Sequence, residues 1–272
     1  MSKTLYVTDL DGTLLQNDHT LSKNTITLLN KLLDQGLCFT YATSRSIHTA
    51  APITQSLHIT LPVITRDGCV IADTQKRIEI DVKKISFQKI ISLLPIFSPI
   101  IHSGFMTAYI QGRESKLYLQ GEHSQGFQNY LNEHHNDPNL HSILTLDRLF
   151  QNDICYFNFI ANREDLEPIY KQIKDDNELS CIFQKDNYND SYWLNVYPCD
   201  TTKGSAVQKL KRDLNCDRLV VFGDSVNDIS MFEVADVSYA MANAIDELKH
   251  VATDIIGDND SDSVARWLIK NY

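Results

Sequence analysis

The sequence predicts an α/β protein with a parallel-sheet core into which an α+β segment is inserted. Three observations predict it. Apolar strand patterns and amphipathic helix patterns alternate over residues 1–82, runs of strands with fewer helices fill 83–187, and the alternation returns over 188–272. Strand–helix–strand order implies parallel strands joined by right-handed crossovers, whereas bunched strands mark a separate α+β module. The expected architecture is a Rossmann-like core, residues 1–82 and 188–272, carrying a cap domain, residues 83–187.

In the first core segment Leu5 to Thr8 reads as a strand. Leu21, Ile26, Leu28, Leu29, Leu32 and Leu33 recur at helical spacing, with Ser22 as N-cap and Gly36 as stop. Leu37 to Ala42 is the next strand and a helix follows from Ile47 to Leu57. Pro62 to Thr65 is a third strand, turned by Asp67-Gly68 into Cys69 to Ala72.

In the insertion Ile85 to Phe97 has an amphipathic helix pattern and Thr107 to Leu119 alternates like strands. The polar stretch His134 to Asn139 breaks the chain. Cys155 to Ala161 is a strand, Glu164 to Lys174 a helix, and strands follow at Cys181 to Phe183 and Tyr192 to Tyr197. Trp193 and Tyr192 are expected to pack where this last strand leads back to the core. Lys83, Lys84, Arg113, Lys116, Arg148 and Lys185 are expected to be mostly solvated.

The closing segment predicts helices over Lys203–Leu214, Asp228–Val234, Ile245–Val251 and Ser261–Ile269. Its strands are Arg218–Phe222, Val237–Met241 and Asp254–Ile256. Ser261 or Asp262 is the expected cap of the last helix.

Composition narrows the function classes. The chain has 272 residues, 43% hydrophobic and 22% charged, with a formal net charge of −10. This balance argues against nucleic acid or an anionic membrane surface as the main partner. Met1 to Leu5 opens no long apolar run, and no apolar stretch approaches a membrane span, so a cytoplasmic protein is expected. The six cysteines form no CxxC pair and are read as reduced packing residues. The nine histidines show no HExxH spacing, and neither GxGxxG nor GxxxxGK[ST] occurs.

Four polar clusters carry the chemistry: Asp9-Leu10-Asp11-Gly12-Thr13, Thr43-Ser44-Arg45, Lys203-Gly204-Ser205, and Gly223-Asp224-Ser225-Val226-Asn227-Asp228. Each lies at the end of an apolar strand or the start of a helix, where open α/β sheets bind ligands. Splitting phosphate ester hydrolysis through an aspartyl-phosphate needs a nucleophilic carboxylate, an acid for the leaving group and positive charge on the phosphoryl oxygens. Asp9 and Asp11 can share the first two tasks; in a continuing strand both would point to one face, and Gly12 then lets the chain turn away. Asp224 and Asp228 add two carboxylates, and an oxygen-rich set without paired His or Cys fits Mg²⁺. Lys203 supplies a fixed ammonium, and Thr43 a hydroxyl at an expected helix start.

With these motifs the sequence resembles the haloacid dehalogenase superfamily of phosphatases, in the Cof-type branch with a large α/β cap. The resemblance implies Asp9 as nucleophile and Asp11 as general acid/base. It places Mg²⁺ on Asp9, the Asp11 backbone carbonyl and Asp224, with Asp228 in support. Thr43 and Lys203, with Ser44 beside them, are implied phosphate ligands, and Asn227 joins the phosphate or metal shell. The sequence departs from the family pattern at Ser44, where Gly is usual, at Asp67, where Asn precedes Gly68, at Ser225 and at Ala242.

The expected function is Mg²⁺-dependent hydrolysis of a small phosphorylated metabolite, a sugar phosphate or cofactor phosphate. A sugar-phosphate phosphomutase shares the aspartyl-phosphate and is the alternative. A signalling receiver domain is disfavoured by Asp11 and by length, and a non-catalytic phosphoacceptor or binding protein by the full set of groups. The insertion holds none of the four motifs and is expected to act as a lid, hinged near Asp81 and at Asn187 to Asp190, that reads the leaving group.

Overall fold

The computed structural model describes residues 3–76, 78–110, 113–147, 153–186 and 189–272. The chain forms two compact units, Met1–Val82 with Thr202–Tyr272, and Lys83–Thr201. The first unit begins with β1 (Thr4–Thr8), α1 (Lys23–Asp34), β2 (Phe39–Tyr41), α2 (Ile47–Thr54), β3 (Val63–Thr65), β4 (Val70–Asp73) and β5 (Ile78–Val82). The second unit holds α3 (Phe87–Phe97), β6 (Gly104–Ile110), β7 (Arg113–Leu119), α4 (Gln125–Glu133), β8 (Leu140–Ile143), β9 (Asp153–Ala161), α5 (Arg163–Ile173), β10 (Leu179–Lys185) and β11 (Tyr192–Pro198). The first unit resumes with α6 (Lys203–Asp213), β12 (Arg218–Gly223), a 3-10 turn at Val226–Asp228, α7 (Ile229–Glu233), β13 (Val237–Ala240), α8 (Asp246–Val251), β14 (Asp254–Ile255) and α9 (Ser263–Asn271).

The first unit is built on a five-stranded sheet in the order β14-β13-β12-β1-β2, parallel throughout. Central β1 is paired on both edges, and its Leu5 and Val7 are fully buried, as a strand covered on both faces requires. The third strand of the sequence reading, β3, meets the end of β2 through a parallel bridge between Ala42 and Ile64. Beyond that bridge the turn at Arg66–Gly68 folds the chain back, and β3 joins β4 and β5 in a small antiparallel sheet.

The second unit is a six-stranded sheet in the order β10-β11-β9-β6-β7-β8. All pairs are antiparallel except β7 with β8. One core cluster joins Leu93 and Phe97 of α3 and Leu166, Ile169 and Ile173 of α5 to Phe157, Phe159, Leu194 and Val196 of the sheet. Phe127 and Tyr130 of α4 pack on Phe105 and Ile160 in a second cluster. Among the described residues no helix is long and apolar enough to cross a membrane.

Several expectations are corrected. The core was expected to resume at residue 188, but β11 pairs with β9 and β10 in the inserted sheet, so the second unit runs to Thr201. A strand pattern does not say which sheet the strand will join. Trp193 therefore packs inside the second unit and donates from Nε1 to Asp186 Oδ2 at 2.7 Å. Helix α4 and strand β8 had no sequence signal assigned; β8 exposes His141 and Ser142 and buries only Ile143. Lys116, expected in solvent, is 7% exposed and pairs with Asp137 at 2.7 Å. Arg148 and Asn187 lie outside the described residues.

The last helix also starts differently. Asp262 occupies the N-cap position of α9 with φ 56° and makes no side-chain cap bond. Its carboxylate instead accepts from Ser22 Oγ, from Asn24 Nδ2 at 2.7 Å and from Thr25 Oγ1 at 3.0 Å. Ser22 Oγ in turn accepts from Thr25 N–H at 2.9 Å and caps α1 as expected. One carboxylate thus ties the start of α9 to the start of α1.

Candidate active site

The site grows from β1. After Asp9 the chain makes one wide turn over Leu10–Leu14, closed by a 2.8 Å bond from Leu15 N–H to Leu10 O. Gly12 in this turn has φ +73°, and a Cβ there would lie 2.3 Å from Asp224 Oδ2. Both the left-handed backbone and the close approach require glycine. Because β1 ends at Thr8, Asp9 and Asp11 do not project side by side from a continuing strand. Asp9 is 5% exposed and Asp11 half-buried, each with its own cation.

Lys203, the first residue of α6, is buried and serves Asp9. Its Nζ lies 2.8 Å from Asp9 Oδ1 and 2.7 Å from Asp228 Oδ1. The other oxygen of Asp228 accepts from the N–H groups of Asp224 at 2.9 Å and Ser225 at 3.1 Å. Asp228 therefore fixes both the ammonium and the backbone that carries Asp224. Asp224 Oδ1 accepts from Thr13 Oγ1 at 2.8 Å.

One carboxylate oxygen from each of Asp9, Asp224 and Asp228 lies within 4.8 Å of the other two. Burial pushes the Asp9 carboxyl well above the usual carboxylate range; Lys203 opposes this, and the charges of Asp228 and Asp224 add to it. Burial, then Asp228, pushes Asp224 up to about 7. Burial works against the Lys203 charge too, yet Asp228, Asp9 and Asp67 keep it protonated, with its pKa raised. Buried carboxylates brought this close call for a cation, and an all-oxygen donor set suits a hard one. The residues present thus fit a divalent ion such as Mg²⁺. Asp11, expected at the metal through its backbone carbonyl, keeps its carboxylate outside this cluster.

Asp11 is held by Arg45. The guanidinium donates from Nε to Oδ2 and from a terminal nitrogen to Oδ1, both at 2.6 Å. His19 Nδ1 lies 2.9 Å from Oδ1. Burial alone would raise the Asp11 carboxyl, but Arg45 and His19 outweigh it and hold it below the usual range.

Thr43 is buried two residues beyond β2 and accepts from Arg45 N–H at 3.2 Å. It is not at a helix start: Ser46 caps α2, accepting from Thr49 N–H. Ser44 is exposed beside it. Asn227 donates from Nδ2 to Asp67 Oδ1 at 2.8 Å, and its Oδ1 accepts from Ser225 Oγ at 2.5 Å. All these residues belong to the first unit, and each of the four motifs supplies at least one of them.

Sequence reasoning missed Arg45, His19, Thr13, Asp67 and Asn243 as members of the site. Arg45 stood inside a quoted motif and Thr13 closed another, so position was a usable signal for both. Asn243, which donates to Gly12 O at 2.8 Å, sat in a segment compared with the family pattern but given no role. Nothing local marked His19 as a partner of Asp11.

Comparison with known proteins bears on the family and the fold. The family model described as haloacid dehalogenase-like hydrolase matches residues 6–268. Among curated relatives, a 5-amino-6-(5-phospho-D-ribitylamino)uracil phosphatase of Bacillus subtilis is 24% identical, covering 98% of this chain and 97% of its own. A pyridoxal phosphate phosphatase of Escherichia coli is 25% identical over 98% of each chain. Among solved structures, a haloacid dehalogenase-like hydrolase from B. subtilis superposes with a TM-score of 0.78 at 21% identity, over 98% of this chain and 99% of the other.

Proposed function

The chain belongs to the haloacid dehalogenase-like hydrolases, in their Cof-type branch of phosphoric monoester hydrolases, and from that premise we propose that it hydrolyses a small phosphorylated metabolite through a phosphoryl group carried on Asp9. The observation that carries the proposal is the buried cluster of Asp9, Asp224 and Asp228 closed by Lys203. Phosphatases of a ribitylamino-uracil phosphate and of pyridoxal phosphate among the relatives support a sugar phosphate or cofactor phosphate as the substrate class.

In this reading an Asp9 oxygen attacks phosphorus in line with the ester oxygen, forming the acyl phosphate as the ester P–O bond breaks. Asp11, which Arg45 and His19 favour in the ionised form, must take up a proton before it can give one to the departing oxygen; ionised again by that transfer, it takes one from the water that attacks the same phosphorus. That second attack breaks the Asp9–phosphorus linkage and releases inorganic phosphate. Lys203 orients Asp9 and sets positive charge beside the phosphoryl oxygens. The Thr43 hydroxyl, with Ser44 beside it, binds the phosphoryl oxygens, and Asn227 holds the loop that carries Asp224. Asp9, Asp224 and the Asp11 carbonyl would hold Mg²⁺, with Asp228 behind them. The ion would supply charge neutralisation between the nucleophile and the phosphate. Lys83–Thr201, which contains none of these residues, is assigned to recognition of the leaving group.

The test is hydrolysis of a generic aryl phosphate. Activity is expected to vanish in chelator and return with Mg²⁺. Full turnover by chelated, metal-free protein would overturn the metal assignment.

A further inference from the structure

We propose that Asp67 is a positioning residue of the phosphatase site, holding together the loops that carry the phosphate-binding and metal-binding groups. The inference rests on the function proposed above and goes beyond it, since none of the chemical steps requires Asp67. Asp67 is 2% exposed and sits in the turn that ends β3.

Three site segments meet at Asp67-Gly68. The loop after β2 is joined to it by main-chain bonds: Asp67 N–H donates to Thr43 O and Arg66 N–H to Arg45 O, both at 3.1 Å. The loop after β12 is joined through the side chain, where Asn227 Nδ2 donates to Asp67 Oδ1 at 2.8 Å. Asn227 is pinned at its other end by Ser225 Oγ, so its amide plane is fixed within the loop that bears Asp224 and Asp228. The start of α6 is joined by contact: a Cβ at Gly68 would lie 2.1 Å from the carbonyl oxygen of Thr202, the residue before Lys203. Asp67 charge also supports the Lys203 ammonium, behind Asp228 and Asp9.

The backbone narrows what can stand here. Asp67 has φ 53° and ψ 30°, the left-handed region that Gly, Asn and Asp adopt most readily. Of these three, Gly offers no acceptor to Asn227. Position 67 must therefore combine a left-handed backbone with a side-chain oxygen, and only Asp and Asn meet both demands at this length. The Asn-Gly usual in the family pattern satisfies the same two conditions, so Asp67 keeps the contact while adding a charge.

The experiment separates side chain from backbone. Asp67→Gly preserves the turn and removes the carboxylate, so the fold is retained and melting temperature checks that it is. Asp67→Asn keeps an acceptor. Steady-state hydrolysis of an aryl phosphate with saturating Mg²⁺ is expected to show kcat reduced about tenfold in Asp67→Gly, with KM changed less, from misplacement of groups that act in the transition state. Asp67→Asn is expected to restore kcat to within about threefold of the parent. A readout independent of turnover is the side-chain amide of Asn227 in ¹⁵N–¹H spectra: its two proton shifts should collapse toward those of a solvated amide in Asp67→Gly and stay parent-like in Asp67→Asn. Folded Asp67→Gly with parental kcat, or Asp67→Asn as slow as Asp67→Gly, would overturn the inference. An inactive parent with a parent-like Asn227 signal lost in Asp67→Gly would instead count against the phosphatase reading alone.

Discussion

Arg45 grips Asp11 with two parallel 2.6 Å hydrogen bonds, one to each carboxylate oxygen. This fork geometry is specific to guanidinium; lysine offers a point charge instead. The pairing joins the turn after β1 to the loop after β2 and fixes where the Asp11 carboxylate lies relative to Asp9.

Replacing Arg45 therefore acts on Asp11. In Arg45→Ala the carboxyl is expected to rise from its lowered value, because its largest opposing influence to burial is gone. The acidic limb of the kcat–pH profile should move to higher pH, and kcat near neutrality should fall about tenfold or more. Arg45→Lys should recover part of the rate while leaving Asp11 less well oriented. A profile unchanged in Arg45→Ala would mean that Asp11 does not govern the acidic limb.

The two carboxylates of the first motif should separate by experiment. Asp9→Asn is expected to abolish both turnover and covalent labelling. Asp11→Asn should slow turnover by about 100-fold or more, yet accumulate hydroxylamine-sensitive phosphate when the leaving group is a good one. Rapid-quench labelling followed by hydroxylamine distinguishes them. Labelled Asp9→Asn would reassign the nucleophile.

Asp9 and Asp224 were legible in the sequence because each follows an apolar strand, and Lys203 because it opens a helix. Asp9, Asp224, Asp228 and Lys203 needed no long-range information beyond the strand–helix order. The pairs were not legible. Arg45 meets Asp11, and Asn227 meets Asp67, across loops whose approach is set by the packing of β1, β2, β3 and β12. Asp262 shows the opposite error. Its position before α9 reads locally as a cap, but the left-handed backbone there turns the carboxylate toward Ser22, Asn24 and Thr25, 237 to 240 residues away in sequence. The second domain boundary failed for a similar reason, since the pattern of Tyr192 to Tyr197 fits either sheet equally well.

The corrected boundary sharpens a test of the inserted unit. Replacing Lys83–Thr201 by a short linker removes one whole sheet and none of the site residues. The remaining unit keeps its five-stranded sheet. If it folds, weak hydrolysis of aryl phosphate should persist while the ranking over a panel of phosphorylated metabolites flattens. Retention of the parent's ranking by the folded truncation would remove the insertion from substrate recognition.

Asp262 makes a pH-dependent contribution to stability whose sign can be worked out. Burial alone would raise its carboxyl, but hydrogen bonds from Ser22, Asn24 and Thr25 outweigh burial and lower it. The folded protein therefore favours the ionised form more than the unfolded chain does, in which an Asp titrates near about 3.9. The stabilisation is fully present above that value and is lost as pH falls through the lower, folded pKa. Urea unfolding at pH 7 should find Asp262→Ala less stable by about 2 kcal/mol, the scale of hydrogen bonds to a charged group. Between about pH 5 and pH 2 the difference from the parent should shrink, because protonation removes from the parent what the substitution has already removed. Asp262→Asn, which cannot ionise, should lose less stability over the same acid range than the parent does. A constant difference between parent and Asp262→Ala from pH 7 to pH 2 would show that the three hydrogen bonds do not depend on the charge.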